Sequence, residues 1–82
     1  MAYNRRTWLN GKESSSTSSI VMFDGDVDYE DKKYRDIFVK IYDCKSSITL
    51  HKKDAENMQQ FVNKLKLIQD EIKLFINHLE RT

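Results

Sequence analysis

Three aspartates, Asp24, Asp26 and Asp28, have the spacing of the first oxygen ligands in a calcium-binding loop. Such a loop also needs a glycine at position 6 for its sharp turn and a bidentate glutamate at position 12. Here position 6 is Tyr29 and position 12 is Arg35. The pattern therefore predicts a solvated acidic segment, and we expect no metal site.

Few residues are suited to nucleophilic or acid–base catalysis. His51 and His78 fall on different predicted elements, and no motif frames Cys44 as a nucleophile with a base beside it. Gly11 and Gly25 are the only glycines, so the chain lacks a glycine-rich phosphate loop. We expect a protein that is not an enzyme and uses no cofactor.

Aromatic and basic side chains alternate in the segment YRDIFVKIY, residues 34–42. In a strand, Phe38, Lys40 and Tyr42 share one face, while Arg35 and Lys45 lie near its two ends. Aromatic rings stack with the bases of a single nucleic-acid strand while cations pair with its phosphates. The pattern indicates a nucleic-acid-binding surface. Packing of the two rings against the N-terminal segment or another subunit is the alternative.

The N-terminal segment holds a second set of candidate ligand-binding residues. Arg5, Arg6 and Lys12 can bind phosphate, and Trp8 can stack with a base. The tract SSSTSS that follows cannot pack a core, so residues 1–19 are predicted to form a flexible arm. As a further alternative, this arm lines a dimer cleft and sequesters a nucleotide.

A small sheet and one helix must position these residues. Apolar and β-branched patterns predict strands at about residues 20–23, 34–42 and 47–51. The first strand is expected to end at Asp24-Gly25, with residues 24–33 forming a loop or an extended hairpin arm. An antiparallel sheet of three to four strands followed by one long helix is an α+β fold, and we assign residues 20–82 to a single domain.

The C-terminal helix is predicted over about residues 55–80, with Asp54 as its N-cap. Apolar side chains recur on it with heptad spacing, at Met58, Phe61, Leu65, Ile68, Ile72, Phe75 and Leu79. This stripe can pack on the chain's own sheet. Leu67 and Leu74 lie almost opposite the stripe, where one sheet cannot also cover them. We therefore expect a homodimer with these two leucines at a helix-mediated interface.

Composition limits the class of protein further. A chain of 82 residues buries a thin core, and Cys44, the only cysteine, allows no internal disulfide. A partner subunit would supply the missing stability. We find no apolar run long enough for a membrane span and no signal peptide, so we expect a cytoplasmic protein. The net charge is only +1, so a polyanion would need a local basic patch.

The strands followed by SSITLHKKDAENMQQFVNKLKLIQDEIKLFINHL resemble the transcriptional positive-cofactor and Whirly-type single-stranded DNA-binding proteins. The likeness covers about residues 20–80 and depends on Ile48-Thr49-Leu50 leading into the helix. It implies a curved antiparallel sheet, a dimer formed through the helices, and single-stranded DNA held by Phe38, Lys40, Tyr42 and Lys45. The segments HKKDAEN and DGDVDYED depart from the pattern of that family.

A competing class is a protein-binding module without a nucleic-acid role. The chain is similar in general character to small phage-encoded early proteins that inhibit a host polymerase or defence factor. Its near-neutral charge and the acidic residues at 24–31 favour this class. Docking on a basic partner would then use Asp26, Asp28 and Glu30.

Overall fold

The computed structural model describes residues 2–11 and 17–81. Four strands form one antiparallel sheet in the order β1-β2-β3-β4, and one helix follows. Their bounds are β1 (Tyr3–Trp8), β2 (Ser18–Tyr29), β3 (Lys32–Asp43), β4 (Ser46–His51) and α1 (Met58–Glu80). The predicted α+β fold is confirmed, with four strands in the sheet. The chain forms two compact units, residues 1–52 and residues 53–82.

Part of the predicted flexible arm, residues 1–19, is a strand. β1 pairs antiparallel with the first half of β2, where each of its six residues lies opposite one residue of β2. Pairing satisfies the backbone amides and carbonyls along the outer edge of β2, which a mobile arm would leave to water. The amide of Leu9 prolongs the contact by donating to the carbonyl of Ser18 at 2.8 Å. Lys12 lies outside the described residues.

The second strand runs past Asp24-Gly25, so the predicted strand end there is wrong. Gly25 is buried within β2 and its φ is not positive, so no turn requires a glycine at this position. A Cβ atom added to Gly25 would come within 2.9 Å of Cζ of Phe23. The glycine is therefore needed for the close approach of the Phe23 ring, and the predicted segment 24–33 forms an extended hairpin.

Two-residue turns connect β2 to β3 and β3 to β4. Glu30 and Asp31 have φ values of 51° and 64°, and Cys44 in the next turn has φ of 54°. Hairpin turns of this kind favour Asn-Gly or a glycine because other residues meet steric strain at positive φ. Glu30, Asp31 and Cys44 therefore hold both turns in a strained backbone conformation. Cys44 is exposed at its turn.

The helix begins three residues later than predicted, with Asn57 as its N-cap in place of Asp54. The side chain of Asn57 accepts from the amide of Gln60, and the side chain of Gln60 accepts from the amide of Asn57, each at 2.8 Å. This reciprocal capping box needs Glu or Gln three residues after the cap. Asn57 has such a partner and Asp54 does not. Before the helix, Glu56 forms an ion pair with Lys64 at 3.0 Å.

The helical stripe changes in exposure along α1. Phe61 is buried and Leu65 is half-buried, whereas every residue from Gln69 to Arg81 is exposed. The exposed apolar side chains in the second half of α1 include Ile72, Leu74, Phe75, Ile76 and Leu79. In the part of the chain that the structure describes, no helix combines the length and the apolar character needed to cross a membrane.

Candidate nucleic-acid interface

Alternation along the four strands divides their side chains between two faces of the sheet. Residues opposite one another in an antiparallel pair point to the same face, and successive residues point to opposite faces. The register of the sheet therefore assigns every strand residue to one face. The aromatic face consists of residues 4, 6 and 8 of β1, the odd-numbered residues of β2, the even-numbered residues of β3, and residues 47, 49 and 51 of β4. The remaining strand residues form the aliphatic face.

Aromatic residues concentrate on one of these faces. Among the described strand residues, the aromatic face holds Trp8, Phe23, Tyr29, Tyr34, Phe38 and Tyr42, whereas the aliphatic face holds only Tyr3. The aliphatic face instead carries branched or flexible apolar side chains, namely Ile20, Met22, Ile37, Val39, Ile41, Ile48 and Leu50. The prediction that Phe38, Lys40 and Tyr42 share one face is confirmed.

One end of the aromatic face brings cations against rings. The guanidinium carbon of Arg6 lies 5.7 Å from the ring centroid of Trp8 and 5.2 Å from that of Tyr42. The ammonium nitrogen of Lys40 lies 4.9 Å from the Tyr42 centroid. All three distances fall within the range of cation–π attraction. Residues from the predicted arm and from β3 therefore form a single cluster, which we call the Arg6 cluster.

A second group of rings continues the aromatic face. Phe23 and Phe38 stack with their centroids 5.2 Å apart and their planes at 21°. His51 tilts against Phe38 at 5.3 Å, and its Nδ1 atom lies 3.3 Å from a carboxylate oxygen of Asp36. The row of Phe23, Phe38 and His51 and the row of Trp8, Ser19 and Tyr42 lie on either side of the row that contains Arg6 and Lys40.

The charges of the strands are also divided unequally between the faces. On the aromatic face, the described strands carry three cations and one carboxylate, namely Arg6, Lys32, Lys40 and Asp36. On the aliphatic face they carry three cations and four carboxylates, namely Arg5, Lys33, Arg35, Asp24, Asp26, Asp28 and Asp43. A near-neutral chain therefore has one sheet face with an excess of positive charge.

Arg35 lies on the aliphatic face, away from the other residues with which the sequence grouped it. Its guanidinium donates two hydrogen bonds of 2.7 Å to the carboxylate of Asp24. These bonds, with the charge of Arg35, lower the pKa of the Asp24 carboxyl below its ordinary value, and the same pairing raises the pKa of Arg35. Successive residues of β3 point to opposite faces. Arg35 therefore cannot lie on the face of the even-numbered residues Phe38, Lys40 and Tyr42.

The other candidate residues are placed as follows. Arg5 and Arg6 are adjacent in β1 and point to opposite faces, so one subunit cannot use both on the same side of a nucleotide. Lys45 lies in the turn after β3, next to the exposed Cys44. Asp26 and Asp28 are exposed on the aliphatic face near the tip of the β2–β3 hairpin.

No three His, Cys, Asp or Glu side chains form a group that could hold a metal ion among residues 2–11 and 17–81. Glu30 lies in the turn at the tip of the hairpin, where it is exposed. His78 lies in the last turn of α1, while His51 ends β4.

A shallow cavity of about 290 Å³ beside the Asp24–Arg35 pair is lined also by Ala2, Gly25 and Asp26. Its two carboxylates disfavour an anionic ligand.

Sequence reasoning missed the contributions of Phe23 and His51 to the aromatic face. No local signal in the sequence marks them, because the two-residue turn at Glu30-Asp31, which fixes Phe23 opposite Phe38, lacks the residues that such turns favour. Once the next turn is placed at Cys44 and Lys45, His51 falls opposite Phe38 as well.

Comparisons of this chain with models of protein families, with curated proteins and with solved structures find no match. The resemblance to single-stranded DNA-binding proteins stays a prediction, and the residues of the sheet must carry the functional argument.

Proposed function

We propose that the chain is a non-enzymatic, homodimeric module that binds single-stranded nucleic acid on its aromatic face. The observation that carries the proposal is the gathering of six of the seven aromatic residues of the described strands on the face where cations outnumber carboxylates. Bases of a single strand can stack on such rings while its phosphates meet the cations. In a duplex the bases are already stacked and paired, so the proposal predicts a preference for single strands.

The arrangement of rings and cations supports this proposal in detail. Along β3, Tyr42, Lys40 and Phe38 follow one another on the same face, each about 6.8 Å from the next. Trp8 is 63% exposed, so its ring is available to a ligand, while Tyr42 and Phe38 are half-buried and held in place. Rings fixed by packing lose little conformational freedom when a base stacks on them.

The homodimer is supported by the exposed apolar side chains of α1. Leu67 and Leu74 are 66% and 63% exposed, and Phe75 is 61% exposed. A chain with so thin a core gains stability when a second copy covers such side chains. We expect sedimentation equilibrium to give the mass of a dimer, and Leu74→Glu to shift the protein toward monomer. Gln69→Glu adds the same single negative charge at an exposed position on the side of α1 away from Leu67 and Leu74, and as the control it should leave the dimer intact.

The binding proposal is tested by fluorescence anisotropy of a labelled dT oligonucleotide of about 12 nucleotides, a length within the range covered by small single-strand-binding domains. Affinity should reach the micromolar range or tighter at about 50 mM salt and fall steeply at about 200 mM salt. Absence of binding at low salt would contradict the proposal. A duplex of the same length should bind more weakly.

Two double variants change the charge of the protein equally but on opposite faces. Arg6→Glu with Lys40→Glu alters the aromatic face, and Arg5→Glu with Lys33→Glu alters the aliphatic face. The first should weaken dT binding by about 100-fold or more, because two phosphate contacts are lost and two repulsions are added. The second should change it by less than about threefold, since only the net charge is affected. Equal losses would mean that binding depends on net charge alone.

A second candidate function is docking on a host protein, proposed for the tip of the β2–β3 hairpin. Asp26, Asp28 and Glu30 are all exposed there, whereas Asp24 is engaged with Arg35. Charge reversal by Asp26→Lys with Asp28→Lys should abolish capture of a basic partner and leave dT binding intact. If this variant loses dT binding while its fold is retained, the two functions share a surface.

A further inference from the structure

On the aromatic face, Ser19 lies between two residues that carry rings, and we call the space above Ser19 the slot. Trp8 lies opposite Ser19 on one side, and Tyr42 lies opposite it on the other. Ser19 is only 2% exposed, so the larger side chains around it cover this small residue. Neighbouring strands are about 4.8 Å apart, so the strands that carry the two rings are about 10 Å apart. That separation leaves room for one planar group in contact with both rings, at about 3.5–4 Å from each.

The guanidinium of Arg6 lies beside this slot, within cation–π range of both rings. Its central carbon lies 5.7 Å from the centroid of Trp8 and 5.2 Å from that of Tyr42, so the same cation contacts both rings. Arg6 occupies the row next to that of Ser19 and extends across to the rings. A base that fills the slot would therefore compete with the guanidinium for the two rings.

We propose that the slot binds one nucleobase of a single strand, and that Arg6 leaves the rings to pair with the adjoining phosphate. The proposal deepens the proposed function and rests on it. A base is planar and has two stacking faces, as the slot requires. A guanidinium loses two ring contacts when it leaves and gains a bidentate contact with phosphate, which is charge-assisted. Lys40, whose ammonium nitrogen lies 4.9 Å from the Tyr42 centroid, is a second cation near the phosphate.

Displacement of Arg6 predicts opposite effects of one substitution on two ligands. Thymidine has a base and no phosphate. It therefore competes with Arg6 for the rings, and the displaced guanidinium gains no ion pair with a phosphate. A dT oligonucleotide supplies the phosphate as well. Arg6→Ala should therefore strengthen the binding of thymidine severalfold and weaken the binding of a dT oligonucleotide of about 12 nucleotides by about tenfold. Arg5→Ala, the adjacent arginine on the aliphatic face, is the control and should change neither by more than about twofold.

The readout is the fluorescence of Trp8, which is the only tryptophan of the chain. A base stacked on its ring should quench and shift the emission when the dT oligonucleotide binds. Ser19→Val raises the floor of the slot, and it should abolish most of this change and weaken dT binding by about tenfold. Ser18→Val adds the same bulk at the neighbouring position on the aliphatic face, and it should leave the emission change intact.

The outcomes separate the slot from the proposed function. If the oligonucleotide binds by anisotropy but Trp8 emission does not change, the slot proposal is overturned and the broader function stands. Weaker thymidine binding by Arg6→Ala would also overturn it, because the arginine would then be part of the base site. If Ser19→Val fails to fold by circular dichroism, the Arg6→Ala comparison decides alone. An oligonucleotide that does not bind at all removes both proposals.

Discussion

The two faces of the sheet are built from the same four strands and differ in almost every chemical respect. The aromatic face carries rings and an excess of cations, and the aliphatic face carries branched side chains and an excess of carboxylates. On the aliphatic face Arg35 is engaged by the carboxylate of Asp24. On the aromatic face Arg6 and Lys40 contact rings, which attract a cation without neutralising its charge. The difference teaches that a near-zero net charge can conceal a face on which cations outnumber carboxylates.

Among single substitutions, the largest expected effect comes from removing a ring. Tyr42→Ala should weaken dT binding by about 10- to 100-fold, since stacking of one base on an aromatic side chain contributes about 1–3 kcal/mol. Tyr3→Ala removes the only aromatic residue on the aliphatic face of the described strands, where Tyr3 is 50% exposed. Its effect on affinity should be less than about twofold. Comparable losses from the two variants, measured by anisotropy, would contradict the division between the faces.

The next largest expected effect is on the free energy of unfolding, and it comes from the turn that sets the register of both faces. Glu30→Asn combined with Asp31→Gly should raise the free energy of unfolding by about 1 kcal/mol, because both residues have positive φ and Asn-Gly relieves the strain. Urea denaturation measures the change. Affinity for dT should be unaltered, because neither turn residue lies on the aromatic face. Lys45→Gly, at a turn position whose φ is not positive, should lower stability instead.

A smaller effect should appear in the salt dependence of binding. Lys40→Met keeps the long side chain and removes its charge, so the slope of log affinity against log salt concentration should become shallower by about 0.7, the value for one phosphate contact with a single strand. Lys33→Met, on the aliphatic face of the same strand, should leave the slope unchanged. Titrations at four or five salt concentrations distinguish these results. Equal shifts in slope for the two variants would mean that phosphates of the oligonucleotide contact both faces of the sheet.

The smallest expected effect is on the stability of the protein at acid pH, to which the Asp24–Arg35 pair on the aliphatic face contributes. The pKa of Asp24 is lowered by Arg35, so the stabilisation from this pair is fully present above the ordinary carboxyl pKa of about 4 and is lost as the pH falls through the lowered value. Asp24→Asn removes that contribution. The variant should be slightly less stable at pH 7 and should lose less stability between about pH 5 and pH 2 than the unaltered protein. Thermal unfolding across this range tests the sign.

Sequence patterns predicted the fold well where a local physical rule was sufficient. Alternation identified the faces of β3, and the heptad spacing of apolar side chains predicted the helix. The N-cap was assigned three residues too early because an acidic side chain at Asp54 was preferred to the capping box that Asn57 forms with Gln60. The helix end agrees with the prediction at Glu80.

The candidate site was predicted only in part because its residues meet through strand pairing. Asp24-Gly25 has the composition of a turn, while the actual turn at Glu30-Asp31 lacks the residues that such turns favour. Only the close approach of the Phe23 ring explains Gly25, and that contact is invisible without coordinates. Arg6 and Trp8 were expected in a mobile arm, since their place beside Tyr42 depends on the long-range pairing of β1 with β2.

The strand order of the sheet has a consequence for the rate at which it folds. Every strand pairs with its neighbour along the chain, so β-contacts close short loops and the contact order is low for a β-sheet. We expect folding to begin at the β2–β3 hairpin, which has twelve residue pairs. Its strained turn must form before those pairs can propagate, so the strain raises the barrier to folding. A relaxed turn at Glu30-Asp31 should therefore act mainly by accelerating folding, with little change in the unfolding rate.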